Sequence, residues 1–285
     1  ADFPAVFIAI IILMAFSSLG YIPLVVINAT IIHIPVILGS VFCGPKKGAF
    51  MGFIFGLTSF INNTFRSTSL SAFVFSPVLA AGMFGTSGIF KSIWICFVPR
   101  ILVGVIPYFV YVLVEKAMNS SSKKIYANAL NALIALFLGF GIHAFVNRMY
   151  TENNSFAPLV LSLVLPVVLA VACFVLLTWF TLNRSGVIVS FTYAGVFGAM
   201  TNTLLVMFSI YFLYKDAYAK ALSVGSASVL KVIGSVISFN GVIEAIVAAI
   251  IVSALGSVLL LIMPVHGAKE SKTSDETTEN TQPVV

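Results

Sequence analysis

Residues 157–182 read Ala157-Pro-Leu-Val-Leu-Ser-Leu-Val-Leu-Pro-Val-Val-Leu-Ala-Val-Ala-Cys-Phe-Val-Leu-Leu-Thr-Trp-Phe-Thr-Leu182, with no charged side chain anywhere in the run. A helix needs about 20 apolar residues to cross the hydrocarbon core of a bilayer, so this stretch is long enough. The rest of the chain is built the same way. Hydrophobic residues make up 60% of it and charged residues 8%, against about 25% charged in a soluble domain. Such a chain has too little polar surface to cover itself in water, so lipid is its solvent.

Working outward from that run, eight candidate spans emerge: 4–20, 34–44, 47–62, 92–114, 125–147, 157–182, 187–214 and 240–263. The second and third are short and are separated by Gly44-Pro45-Lys46-Lys47-Gly48, a strong turn signal. The expectation is an all-α membrane protein with about eight transmembrane helices. Residues 1–264 form the integral membrane domain, and the polar, low-complexity stretch 265–285 is a disordered cytoplasmic tail. Only Ala1–Pro4 precede the first span, no cleavable signal peptide is evident, and a native basic leader ahead of residue 1 is left open.

The net charge of +6 is scattered rather than striped, which argues against nucleic acid as a partner. The basic residues instead mark orientation. With the N-terminus inside, Lys46, Lys47, Lys116, Lys123, Lys124, Arg184, Lys269 and Lys272 fall on the inner side. Arg66, Lys91, Arg148, Lys215, Lys220 and Lys231 fall on the outer side. The inner positives crowd into short turns, where the positive-inside rule weighs them most, so both termini are expected to be cytoplasmic. The outer connections 63–91 and 215–239 are long but apolar and Ser/Gly-rich, and they are expected to fold back over the outer mouth as a lid.

Ionisable groups in a span cost about 2.5–3.5 kcal/mol each at a helix centre, which makes them functional candidates. Arg100, in Cys96-Phe-Val-Pro-Arg100, follows a proline that bends the helix. Its guanidinium suits a ligand carboxylate by a bidentate pair; the alternatives are pairing with Glu244 or backbone carbonyls, or reaching an interface. Asn240 and Glu244 are four apart on one helix face, so they either face a cavity together or cap the helix N-terminus. Asn62-Asn63-Thr64 and Thr201-Asn202-Thr203 are neutral clusters that need partners, either another helix or a polar ligand. His33 opens the second span beside Asn28 and Thr30 and reads as a structural histidine or a ligand contact.

Other chemistries find no support. The three histidines are far apart and show no metal-site spacing. Asp occurs only at 2, 216 and 275, so no Ser-His-Asp set assembles within the spans. Gly85-Thr-Ser-Gly88-Ile-Phe-Lys91-Ser92 is not a P-loop, because Phe90 stands where glycine must precede the lysine. Cys43, Cys96 and Cys173 lie in apolar runs without CxxC spacing and read as small buried side chains.

Several ordered segments resemble the substrate-binding S-components of energy-coupling factor (ECF) transporters, in particular the pantothenate-type branch. They are Asn28-Ala-Thr-Ile-Ile-His-Ile-Pro-Val-Ile-Leu-Gly39, Gly44-Pro-Lys-Lys-Gly-Ala-Phe-Met-Gly-Phe-Ile-Phe-Gly-Leu-Thr-Ser59, Phe75-Ser-Pro77, Cys96-Phe-Val-Pro-Arg-Ile-Leu-Val-Gly-Val-Ile-Pro107, Ala194-Gly-Val-Phe-Gly-Ala-Met-Thr-Asn-Thr-Leu-Leu-Val206 and Val242-Ile-Glu-Ala-Ile-Val-Ala-Ala249. The resemblance implies a bacterial multi-pass membrane subunit that captures a vitamin, with pantothenate the expected one. It would dock on a transmembrane coupling protein and two ATPase subunits, which use the ATP; this chain is expected to hold no cofactor of its own. Carried over by position, the resemblance nominates Asn62, Asn63, Lys91, Arg100, Asn202, Asn240 and Glu244 for the substrate, and Ala5 and Ala9, at small-xxx-small spacing, for the coupling protein. The family core has six helices, so residues 125–183 are expected to be an inserted helix pair. The competing readings are another vitamin or small metabolite, a stand-alone secondary transporter or channel, and an intramembrane enzyme. A secondary transporter would carry matching helix breaks in two halves; Pro45 and Pro99 in the first half find no counterparts in the second.

Overall fold

The structure, a computed structural model, describes residues 3–17, 20–23, 28–67, 69, 71–152 and 158–267. The chain is almost wholly helical, as a lipid solvent requires when every backbone group must be satisfied within the protein. In chain order come α1 (Phe3–Phe16), α2 (His33–Cys43), α3 (Pro45–Phe65), α4 (Pro77–Val103), α5 (Ile106–Met118), α6 (Lys123–Glu152), α7 (Leu165–Asn183), α8 (Gly186–Ala221), α9 (Val229–Val236) and α10 (Val242–Leu259). Short π-helical turns, Val160–Val164 and Ile237–Gly241, lead into α7 and α10. A small antiparallel ribbon joins α1 to α2: β1 (Tyr21–Pro23) pairs with β2 (Asn28–Thr30), Tyr21 opposite Thr30.

Among the described residues, five stretches are long and apolar enough to cross a membrane: Pro77–Met118, Lys123–Tyr150, Val160–Asn183, Gly186–Ala221 and Ser226–Leu259. α1 and α2 are shorter apolar helices. The turn expected at Gly44-Pro45 separates α2 from α3; Gly44 has φ 87°, which favours glycine, and Pro45 starts α3, where its missing N–H costs nothing.

Three expectations need correction. The outer connection 63–91 is mostly helix, because Ser76 caps α4 by accepting the Leu79 N–H and Pro77 opens it. Gly85 (φ 63°, ψ −148°) then bends α4 in a conformation essentially reserved for glycine. The span placed at 92–114 is broken at Gly104–Val105, between α4 and α5. The connection 215–239 shrinks to residues 222–225, since α8 runs to Ala221 and helical structure resumes at Ser226.

Residues 265 and 266, counted in the expected tail, also pack. Val265 is buried, and the His266 N–H donates to the Val41 carbonyl at 3.4 Å while its ring lies against Gly44 and Tyr108. The remaining tail, 268–285, lies outside the described residues.

Two packing features position the functional site. On α3, Gly48, Gly52 and Gly56 repeat every four residues and face Gly104, which caps the end of α4, and Arg100 and Cys96 on α4, which repeat at the same interval in reverse. A Cβ at Gly48 or Gly52 would overlap the carbonyl of Gly104 or Arg100, so the two backbones touch with no side chain between them. The Cys96 thiol donates to the Gly56 carbonyl at 3.1 Å. α5, in turn, runs antiparallel to α8, with Pro107 beside Gly198 and Met118 beside Gly186. The main core joins α1–α5 with α8–α10, and a smaller cluster of Val114, Met118, Ala127, Val189 and Tyr193 joins α5, α6 and α8. α7 packs on α6 and touches α8 lightly. A buried polar knot ties this pair inward: Asn131 Nδ2 donates to Thr178 at 3.1 Å, and Tyr193 donates to Asn131 Oδ1.

Candidate functional site

Pro99 has no N–H, so the carbonyl of Ile95, four residues back on α4, loses its helical donor. Arg100 fills that vacancy. Its Nη1 donates to the Ile95 oxygen at 2.7 Å, folding the side chain back along its own helix. The guanidinium carbon lies 4.9 Å from the ring centroid of Phe75 and 5.6 Å from that of Phe55. Two aromatic faces thereby hold a cation that is only 6% exposed.

The charge opens onto a cavity of about 560 Å³. One wall is a stripe along α3 at helical spacing: Phe55, Ser59, Asn62, Asn63 and Arg66. The opposite side brings Arg100 and Phe75, Asn202 of α8, Thr30 at the end of β2, and Ala15 and Ser17 from the end of α1. Among the described residues the lining therefore carries two arginines and no carboxylate. Asn62 Nδ2 donates to the Ala15 carbonyl at 2.6 Å, and Arg66 Nη1 to the Phe16 carbonyl at 3.2 Å, so α3 holds down the end of α1. The Oδ1 atoms of Asn62 and Asn202 are buried without a hydrogen-bond partner among the described residues. A buried amide oxygen in that state costs free energy, which a ligand donor would recover.

Four of the eight candidate substrate residues (the seven nominated by resemblance and His33), Asn62, Asn63, Arg100 and Asn202, thus meet around one space. The other four lie outside its lining. Lys91 sits on the other side of α4, its Nζ 5.6 Å from the Tyr214 ring. His33 is fully buried at the start of α2, both ring nitrogens without a hydrogen-bond partner among the described residues. Asn240 falls in the π-helical turn before α10, its Oδ1 also buried without a hydrogen-bond partner among the described residues. Glu244 neither lines the cavity nor caps α10. Its Oε1 accepts the Thr30 N–H at 2.9 Å and its Oε2 the Thr203 hydroxyl at 2.7 Å. It braces the cavity wall at Thr30 from behind, within electrostatic reach of Arg100.

Reading the sequence by cost in lipid passed over Phe55, Phe75, Ser59, Arg66 and Thr30. The α3 residues among them were detectable as one stripe at i, i+4, i+7, i+8 and i+11. Phe75 comes from a 3₁₀ turn and Thr30 from a ribbon end, with no periodicity to mark either. Among the described residues no three His, Cys, Asp or Glu side chains gather as a metal site.

The family profile described as "ECF transporter, substrate-specific component" matches residues 3–150, more than half of the chain. The chain belongs to this family. It is also 40% identical, over 119 residues, to the pantothenic acid transporter PanT of Lactococcus lactis subsp. cremoris (strain MG1363). That alignment covers 40% of this chain and spans 59% of the length of the curated relative. The family match takes in every cavity element except α8, which contributes Asn202. It also takes in α6, the first helix of the expected inserted pair, and stops before α7. Ala5 and Ala9, the small residues that the S-component resemblance assigned to docking, are both exposed on α1.

Proposed function

We propose that this chain is the membrane-embedded capture subunit of an ECF transporter and that it binds pantothenate in the Arg100 cavity. One observation carries the reading: a buried guanidinium, backed by two aromatic rings, opens onto a space with a second arginine, two unsatisfied amide oxygens and no carboxylate. Pantothenate offers a carboxylate for Arg100, and hydroxyl and amide donors for Asn62 and Asn202. The identity to PanT supports that substrate over another vitamin or small metabolite.

Eight crossings complete the reading: α1, α2 with the ribbon ahead of it, α3, the α4–α5 pair, α6, α7, α8 and the α9–α10 pair. The cavity then faces outside, away from the turns that carry Lys46, Lys47, Lys116, Lys123 and Lys124, and both termini are cytoplasmic. The exposed Ala5–Ala9 face docks on a transmembrane coupling protein, and two partner ATPases supply the driving force. The α6–α7 pair is an addition on the flank of the six-helix unit.

The test is calorimetric titration of the purified chain with pantothenate. Saturable binding is expected, and Arg100→Ala weakens it about 10- to 150-fold, the range for one charge-assisted contact. If pantothenate fails to bind while another vitamin binds, the substrate assignment is wrong; an unchanged affinity in Arg100→Ala removes the residue from the site. Uptake by the chain alone in ATPase-free liposomes would replace the capture role with secondary transport.

A further inference from the structure

A second concavity, of about 450 Å³, lies between the last turns of α5 and the first turns of α6. Because Met118 sits beside Gly186 and Pro107 beside Gly198, α5 leads away from the Arg100 cavity, and this groove lies at the opposite end of the bundle. Its composition changes along its length. Leu113, Val114 and Leu130 line the end toward the middle of the bundle, while Lys116, Ser120 and Tyr126 line the end at the turn. Val114 and Met118 form a buried floor, and Leu113 and Tyr126 stand exposed at the rim. Lys123 and Lys124 begin α6 beside it. Glu115, the neighbouring acid, is not part of the lining.

We infer that this groove is a binding site for one anionic phospholipid, its phosphate on Lys116 and an acyl chain along Leu113, Val114 and Leu130. The polarity of the groove runs as a lipid's does in its own leaflet, with charge at the turn and hydrocarbon toward the bilayer centre. Ser120 and Tyr126 add hydroxyl donors for phosphate oxygens. The lining has no carboxylate to hold the ammonium of a zwitterionic headgroup, so the charge complementarity selects net negative lipids.

The test uses the delipidated full chain in detergent, challenged with equal amounts of chain-matched phosphatidylglycerol and phosphatidylcholine and read by native mass spectrometry. One retained phosphatidylglycerol is expected, favoured about five-fold, the worth of one lysine near an anionic headgroup. Lys116→Gln should bring the two lipids to parity, and Leu113→Trp, which fills the groove, should remove the adduct. Arg184→Gln, at the same end but outside the groove, should leave the preference intact. Equal retention by the unmodified chain overturns the proposal, as does a preference that survives both groove variants. Displacement of the adduct by glycerophosphoglycerol, the headgroup without chains, would make this a site for a free phosphate anion and overturn the lipid assignment. Pantothenate binding in the same samples serves as the control, so the outcome stands apart from that of the Arg100 cavity.

Discussion

At the scale of single residues, the site is organised by a missing hydrogen. Pro99 frees the Ile95 carbonyl, and Arg100 takes it, which sets the direction of the guanidinium. Pro99→Ala should return a backbone donor to Ile95 and compete with Nη1. The helix gains stability, since proline inside a helix costs about 3 kcal/mol. The guanidinium loses an anchor worth about 1 kcal/mol, or roughly five-fold in affinity. Thermal melting and titration should therefore move in opposite directions: a higher Tm with weaker pantothenate binding. Glu244 supports the cavity from outside it. Glu244→Ala leaves the Thr30 N–H and the Thr203 hydroxyl without their acceptor, at about 1–3 kcal/mol for each buried group. The expected result is a lower Tm, with faster hydrogen exchange at Thr30 than at Ile95; unchanged exchange at Thr30 would show that the ribbon is held by other contacts.

At the scale of elements, the α3–α4 contact sets where Arg100 stands. Gly52 packs directly on the Arg100 carbonyl, so Gly52→Ala must push the two helices apart. A loss of about 1–3 kcal/mol is expected, as for overpacking elsewhere, together with weaker substrate binding. Gly82→Ala, where a Cβ meets nothing within 4 Å, should leave binding unchanged and raise stability slightly, by about 0.5–1 kcal/mol for a helical glycine. This scale also shows what could be read from the chain. The cost of charge in lipid picked out Arg100, and the Gly44-Pro45 turn is where it was expected. The four residues that reach the cavity come from the middle or end of a span, where a polar group has few other uses. Glu244 carries the same cost but meets it locally, on Thr30 and Thr203, and Lys91, outside the expected spans, lies beside Tyr214. Hydropathy alone cannot distinguish those two solutions. The outer connections are more helical than their sequence implies because Ser and Gly weaken a helical pattern, while the cap at Ser76 and the bend at Gly85 let α4 extend through the first of them.

At the scale of the molecule, one candidate span is unusual: Pro77–Met118 is 42 residues long, more than twice what the hydrocarbon needs. It accommodates that length by breaking at Gly85 and again at Gly104–Val105. Its ends lie on opposite sides of the membrane in the proposed topology. In a background with Cys43, Cys96 and Cys173 replaced by alanine, a membrane-impermeant maleimide added to intact cells should label Ser69→Cys. It should leave Ser120→Cys unlabelled until the membrane is opened. The reverse pattern would invert the protein and place the cavity on the cytoplasmic side.

The seat of His266 bears on how this protein can be handled. Its backbone joins Val41, and its ring occupies the space above Gly44 that any side chain at that position would fill. Val265 and His266 thus act as a wedge beneath the α2–α3 turn, although they follow α10. A fusion partner joined at Leu260 would withdraw that wedge and leave an apolar notch open to water. One joined beyond Gly267 would leave it seated, so the choice of junction decides whether a tagged chain keeps its base closed.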